Sequence, residues 1–250
     1  VNDLIKRELS EGILTLTLER PDKLNALTNA MYTRLGDLFF AAAQDPEVRA
    51  IIITGGEQCF TSGNDLHDFL QAPPSSLDAP VFRFMRAVIE LDKPLIAAVC
   101  GAAIGIGTTL LLHCDQVLIT RQAKLRMPFV NLGLCPEFGA SLLVPRLLGH
   151  ARAAGLLLWG NGLSGAQAAE WGLANEAFDD GQQCLAAARQ RAERVLALPH
   201  EAVVQTKQLL KAPLLSELLD TVRRENLLFM ERLQSPEAQG LLNAMVQRSK

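Results

Sequence analysis

An α/β fold with mainly parallel strand pairing is what the sequence predicts, followed by a helical C-terminal part. Three observations lead there. Short apolar runs recur, each closed by glycine or another turn signal. Helical stripes follow these runs after short connections. Beyond Gln182 the periodicity is almost wholly helical.

The elements follow in order. Ile13 to Leu18 (ILTLTL) alternates apolar residues with threonine, the spacing of a strand with one buried face. Arg20-Pro21-Asp22-Lys23 reads as a turn. Thr28 is placed to cap a helix whose apolar stripe is Met31, Leu35, Leu38, Phe39 and Ala42, ended by Asp45-Pro46. Ala50 to Thr54 (AIIIT) is continuously apolar, as a strand covered on both faces requires. The Pro- and Ser-rich stretch Gln71 to Pro80 reads as a loop, and a helix runs from it to about Leu91. Pro94 opens the strand LIAAV, and the glycine turn from Gly101 to Gly107 leads into a helix through His113. Gln116 to Thr120 is a further strand. Ser164 caps a helix that Gly172 stops, and Asn175 to Phe178 is a brief strand. Stripes at Val203, Leu209 and Leu210, then Leu214, Leu218, Leu219 and Val222, are too apolar for a lone tail and predict packing on a core or a neighbouring subunit.

Composition limits the function classes. Of the 250 residues 49% are hydrophobic and 20% charged, enough for a large core and too apolar for disorder. A net charge of -3 argues against nucleic acid or an acidic membrane as main partner, since both select a surplus of Lys and Arg. Five cysteines without a CxxC spacing suit reduced thiols and a cytoplasmic location. The four histidines form no metal-ligand pattern. The opening VNDLIKRELS has no signal-peptide core, and the apolar stretch from Pro94 to Leu112 is broken by Gly101, Gly105 and Gly107, so it reads as strand, turn and helix rather than a membrane span.

Three segments could carry chemistry, and each has a plainer reading beside the functional one. Phe60-Thr61-Ser62-Gly63-Asn64-Asp65-Leu66 follows a strand; Gly63 permits close approach of the backbone to a ligand, while Asp65 could simply cap the next helix. Gly101 to Thr109 places free main-chain N–H groups at a helix start, which stabilises negative charge, or merely packs helix on strand. It is no dinucleotide fingerprint, because Leu110 stands where a third glycine belongs, and no phosphate loop, because lysine is missing. Asn131 to Ala140 sets Glu137 between a proline and an aromatic residue; desolvation there raises a carboxyl pKa and makes a better base, although an acid near a helix N-terminus needs no catalytic role.

Together these segments resemble the crotonase (enoyl-CoA hydratase/isomerase) superfamily, and most closely its Δ3,Δ2-enoyl-CoA isomerases. The stretch Phe60 to Asp65, the glycine turn followed by Cys114-Asp115, and LGLCPEFGA at 132–140 stand in the family's order, with Lys23-Leu24-Asn25-Ala26-Leu27 before them and SGAQAAEWGL at 164–173 after. The resemblance spans about residues 5 to 245. It implies a spiral of repeated ββα units over 1–198 and a helical part over 199–250 that builds trimers or dimers of trimers. It also implies an acyl-CoA thioester substrate, no cofactor beyond the CoA moiety itself, and no nucleic-acid or membrane partner.

The resemblance carries residue roles as well. The main-chain N–H groups of Ser62 and Ile106 are the implied donors to a thioester enolate, a charge present in the transition state and not in the ground state. Thr109 and Phe129 fall where hydratases have their two glutamates, and neither moves a proton usefully. Glu137 remains as a single acid–base group, enough to move a double bond, in a dry pocket of Phe129, Leu134 and Phe138. Lys23, Leu24, Ala26, Asn64, Asp65 and Leu66 are the implied CoA contacts, with Lys207 and Phe229 reaching the nucleotide from the C-terminal helices. Asp115 is expected to be structural and Cys135 inert. The rivals are another reaction on the same scaffold, such as hydration, hydrolysis, decarboxylation or dehalogenation, and a non-catalytic acyl-CoA-binding protein.

Overall fold

The computed structural model describes residues 4–248; residues 1–3 and 249–250, the outer ends of the two expected parts, lie outside the described residues. The first ββ pair is β1 (Ile5–Ser10) and β2 (Ile13–Leu18), antiparallel in register Ile5 with Leu18. After α1 (Asn29–Gln44) come β3 (Ala50–Thr54), α2 (Leu66–Gln71), α3 (Pro80–Glu90), β4 (Leu95–Val99), β5 (Ala102–Ile104) and α4 (Ile106–Thr109). The chain continues through β6 (Gln116–Thr120), β7 (Lys124–Arg126), α5 (Ala140–Leu148), α6 (His150–Leu157), β8 (Gly162–Ser164), α7 (Gly165–Glu170), β9 (Glu176–Phe178) and α8 (Gly181–Leu196). It ends with α9 (His200–Leu233) and α10 (Pro236–Arg248).

Two sheets result. The larger has the order β1-β2-β3-β4-β6-β9 and is parallel from β2 onward; the smaller is β5-β7-β8. Successive ββ units lay one strand in each sheet, so β4 is followed by β5 and β6 by β7. The period of two along the large sheet divides its residues between two cores. Leu14, Leu16, Ile51, Ile53, Ala97 and Val99 face the main core with α1 and α3, while Ile13, Ile52, Ile96 and Ala98 face Ala188 and Ala192 of α8.

Local expectations hold where a physical signal was strong. Thr28 caps α1, accepting from the Met31 N–H, and the whole predicted stripe is buried. Ser164 and Gln167 form a reciprocal capping box on α7. The glycine turn differs from expectation. It holds β5, and the helix beyond it is one α turn that tightens into a 3-10 segment at Leu110–His113. No helix among the described residues is long and apolar enough to cross a membrane.

The helical C-terminal part rests on the body of the same chain. Phe229 of α9 is buried against Phe69 of α2, ring centroids 6.0 Å apart, and Arg232 donates to the Gly133 carbonyl at 2.9 Å. Its outer face keeps Leu209 and Leu210 74% and 77% exposed.

Lys207 corrects an expectation. It is neither a solvated lysine nor directed to the glycine turns. Its Nζ lies 2.6 Å from Asp115 Oδ2 and donates to the Lys93 carbonyl at 2.8 Å. Asp115 also accepts from the Leu95 N–H, so this cluster ties together the starts of β4 and β6, the edge opposite the turns that follow β3 and β4. Lys207→Met should therefore lower the unfolding midpoint, since it strands Asp115, and leave the affinity for an acyl-CoA unchanged. Thermal unfolding beside a CoA-ester titration checks both halves.

Candidate active site

The site begins with two turns that the fold brings side by side. Thr61, beyond β3, pairs in parallel with Ala103 of β5: Thr61 N donates to the Ala102 carbonyl at 2.9 Å and Ile104 N to the Thr61 carbonyl at 3.0 Å. Gly63 then passes so close to the second turn that a Cβ on it would lie 2.7 Å from the Ile104 carbonyl, at a φ of +91°. Only glycine permits that approach.

Which N–H groups are free follows from the hydrogen bonds around them. Ser62 N donates to the Leu24 carbonyl at 2.9 Å, so its amide is spent, contrary to the role the sequence suggested for it. Asn64 lies in a bridge with Leu27, which takes the Gly63 carbonyl and the Asp65 N–H. The amide of Asn64 itself points away from that bridge and has no protein acceptor among the described residues. Ile106 N is in the same position, while Gly105 N is taken by the Arg126 carbonyl at 2.8 Å. A helix start always leaves free donors, so Ile106 alone would mean little. Asn64 is not at a helix start; it is half-buried, and with no main-chain partner among the described residues its amide is left for water or a ligand. Gly105 aims the Ile106 amide through φ 58° and ψ -120°, a conformation reserved to glycine.

A tight turn at 23–26 supports this pair. Leu24 and Asn25 both have positive φ, 49° and 55°. Asn25 is 2% exposed, and its Nδ2 donates to the carbonyls of Gly55, Cys59 and Phe60. Thr61 Oγ1 returns a hydrogen bond to the Asn25 carbonyl at 2.6 Å. Arg20 adds bonds to the Ala26 carbonyl and to Asp65 Oδ2, at 2.9 and 2.7 Å. Asp65 also caps α2 through the His67 and Asp68 N–H groups, so its carboxylate braces the turn. The Asn64 side chain accepts from Tyr32 at 2.5 Å. Neither Asn25 nor Arg20 was singled out from the sequence for this work. A lone Asn-Ala after a turn gives no sign that its amide will bind three carbonyls far along the chain.

The acid group arrives from the other side of α4. Glu137 is 3% exposed and accepts from Thr109 Oγ1 at 2.5 Å. Thr109 is three residues beyond Ile106 on the same short turn, about 4.5 Å along the helix axis, so the carboxyl and the free amide belong to one locale. Glu137 Oε2 has no donor among the described residues. Burial pushes the carboxyl up to about 8, offset in part by the Thr109 hydrogen bond and reinforced by the charge of Glu225. Phe129, Leu134 and Phe138 are all buried, as the dry pocket required. Cys135 fits its inert reading, its thiol pushed up to about 11 by burial.

Free amides beside a desolvated carboxyl can stabilise an oxyanion while a proton is moved, the arrangement of an enolate-forming enzyme. Comparison with known proteins agrees. The sequence model of the enoyl-CoA hydratase/isomerase family matches residues 8–249. The 1,2-epoxyphenylacetyl-CoA isomerase of Escherichia coli K12 is 39% identical over 202 residues, covering 78% of this chain and 76% of its own. Human enoyl-CoA delta isomerase 2 is 34% identical over 177 residues, 68% of this chain and 45% of that protein. Among solved structures, Pseudomonas aeruginosa OdaA superposes with a TM-score of 0.96 at 56% identity, covering 98% of this chain and 99% of that one. An enoyl-CoA hydratase/isomerase of Pseudoalteromonas atlantica T6c gives 0.92 at 35%, with 98% of each chain covered. The chain belongs to the enoyl-CoA hydratase/isomerase family and has the crotonase fold.

Two outcomes test the geometry. A Cβ on Gly105 meets nothing within 4 Å, but alanine does not hold φ 58° with ψ -120° without strain, so in Gly105→Ala the turn should relax, swing the Ile106 amide off its direction and lower turnover by roughly a hundredfold if that costs one donor. Steady-state kinetics on a folded variant measures this. A base must be ionised, so activity should rise with pH and level off above about 8. Removing a hydrogen bond that favours the ionised form raises a pKa further, so Thr109→Val should move that midpoint upward in the pH profile of kcat/KM.

Proposed function

We propose that the protein is a Δ3,Δ2-enoyl-CoA isomerase in which Glu137 is the proton carrier. Ionised Glu137 takes a proton from C2 of a 3-enoyl-CoA. The electron pair left behind spreads over C2 to C4 and the thioester oxygen, where the Asn64 and Ile106 N–H groups hold the negative charge. Glu137 returns the proton at C4, and the double bond now lies between C2 and C3. Each main-chain donor contributes roughly 3–4 kcal/mol to such a step.

The observation that carries this reading is the lone available carboxyl. Glu137 and Glu225 are the buried carboxylates among the described residues, and both oxygens of Glu225 are taken by main-chain and serine donors. Thr109, at a place where the hydratases are expected to have a glutamate, instead donates to Glu137. Activating a water as well as protonating carbon calls for a second group, whereas shifting a double bond needs one. The similarity to human enoyl-CoA delta isomerase 2 supports the same choice.

The CoA part of the thioester runs along the turn from Lys23 to Ala26 in this reading. Ser62 joins that turn to the amide pair through the Leu24 carbonyl and, from its hydroxyl, the Lys23 carbonyl at 3.3 Å. Asn64 and Leu66 border the same path. Subunits associate as trimers or pairs of trimers, with exposed Leu209 and Leu210 on one covered face.

A second reading has its own support. The 39% identity to 1,2-epoxyphenylacetyl-CoA isomerase favours an isomerisation of an epoxide-bearing acyl-CoA on the same site. Product analysis separates the readings. The protein should convert a 3-enoyl-CoA to the 2-enoyl-CoA and add no water to the latter. Glu137→Gln should abolish the conversion while binding CoA esters as before. A 3-hydroxyacyl product, or full activity in that variant, contradicts the isomerase reading.

A further inference from the structure

Glu137 is followed by two residues in the left-handed region, Phe138 at φ 61° and Gly139 at φ 77°. Phe138 is not a glycine, so this backbone is strained and must be held by its surroundings. Two side chains hold it, from opposite directions in the fold. His113, at the end of the 3-10 segment after α4, lies 2.7 Å from the Phe138 carbonyl through Nε2 and stacks on the Phe138 ring at 4.1 Å. A carbonyl only accepts, so Nε2 carries the proton. Burial pushes this histidine down to about 4, and it is neutral at ordinary pH.

On the other side, Glu225 reaches in from α9, 86 residues away in sequence from Gly139. Its Oε2 accepts from the Gly139 N–H at 2.6 Å, and its Oε1 from the Ser141 N–H at 2.9 Å and the Ser141 hydroxyl at 2.5 Å. The carbonyl of Glu137 meanwhile accepts from the Ala140 N–H at 3.1 Å. The turn is thus bound before, within and after the strained pair, and the base has little freedom to leave its direction.

We propose that His113 and Glu225 are positioning residues for Glu137, clamping the Phe138–Gly139 turn so that the base keeps its aim, with one jaw supplied by the C-terminal helix. This rests on the reading of Glu137 as the proton carrier. Neither residue touches the substrate. Both act on kcat by fixing the carboxyl over the reacting carbons, where small displacements cost much. It also gives α9 a part in the chemistry besides assembly: without it the turn loses its N-terminal cap.

The test measures kcat and KM for a 3-enoyl-CoA in paired variants. His113→Phe keeps a ring on Phe138 and removes the donor; His113→Gln restores a donor without the ring. Glu225→Ala removes both acceptor oxygens; Glu225→Gln keeps one. The phenylalanine and alanine variants should lose roughly ten- to a hundredfold in kcat with KM within about twofold; His113→Gln should recover most of the loss, and Glu225→Gln, whose amide NH2 must face one main-chain N–H, should recover part of it. If Glu225→Ala does not fold, Ser141→Ala, which removes one of the three contacts, should show a smaller fall in kcat alone. Wild-type kcat in folded His113→Phe and Glu225→Ala overturns the clamp, as does a loss confined to KM or shared equally by the glutamine variants. Glu137→Gln is run alongside. Its inactivity beside active clamp variants refutes the clamp alone, whereas its full activity removes the proton-carrier reading and the clamp with it.

Discussion

Two main-chain N–H groups that have no protein acceptor among the described residues, at Asn64 and Ile106, are the constraint around which the site is arranged. Leaving such groups unpaired costs stability, and several features serve to keep them so. The Thr61–Ala103 bridge aligns the two turns. Glycine at 63 lets them touch, and glycine at 105 turns the second amide outward. Asn25 fastens the first turn to the end of β3 with three hydrogen bonds from one side chain. A donor that cannot swing back to an internal partner is ready for developing charge without reorganisation, which is why fixed amides act mainly on a transition state.

The carboxyl beside them is balanced differently. Burial favours its neutral form, and the Thr109 hydroxyl favours its charged form. The net rise brings Glu137 near neutrality, where a group both takes and returns a proton readily. Such a site carries a stability cost. A carboxyl raised to about 8 holds a proton that the unfolded chain has released, so the folded state loses stability as pH climbs from the ordinary carboxylate range toward 8. That loss is borne by a core that buries both faces of the large sheet.

Much of this was legible in the sequence because its signals were local. The caps Thr28, Asp65 and Ser164, the continuous run of β3 and the desolvated setting of Glu137 all follow from residues near one another. What escaped was long-range. β5, β7 and β8 are three-residue strands, too short for periodicity to show. Which amide of the 62–64 turn faces outward depends on Leu27 and Leu24, some forty residues earlier, so the motif points to Ser62 whereas the amide without a partner among the described residues is that of Asn64. Lys207, which the resemblance makes a nucleotide contact, is held instead by Asp115 and the Lys93 carbonyl, partners more than ninety residues away that no local pattern marks. Glu225 carried no motif at all, since its partners are main-chain groups on a distant turn.

A crystal structure with an unreactive acyl-CoA thioester tests the central claim most directly. The thioester oxygen should accept hydrogen bonds from both Asn64 N and Ile106 N, with a Glu137 oxygen facing C2 and C4. A thioester bound elsewhere, with those two amides solvated and Glu137 still turned from the ligand, would contradict the account.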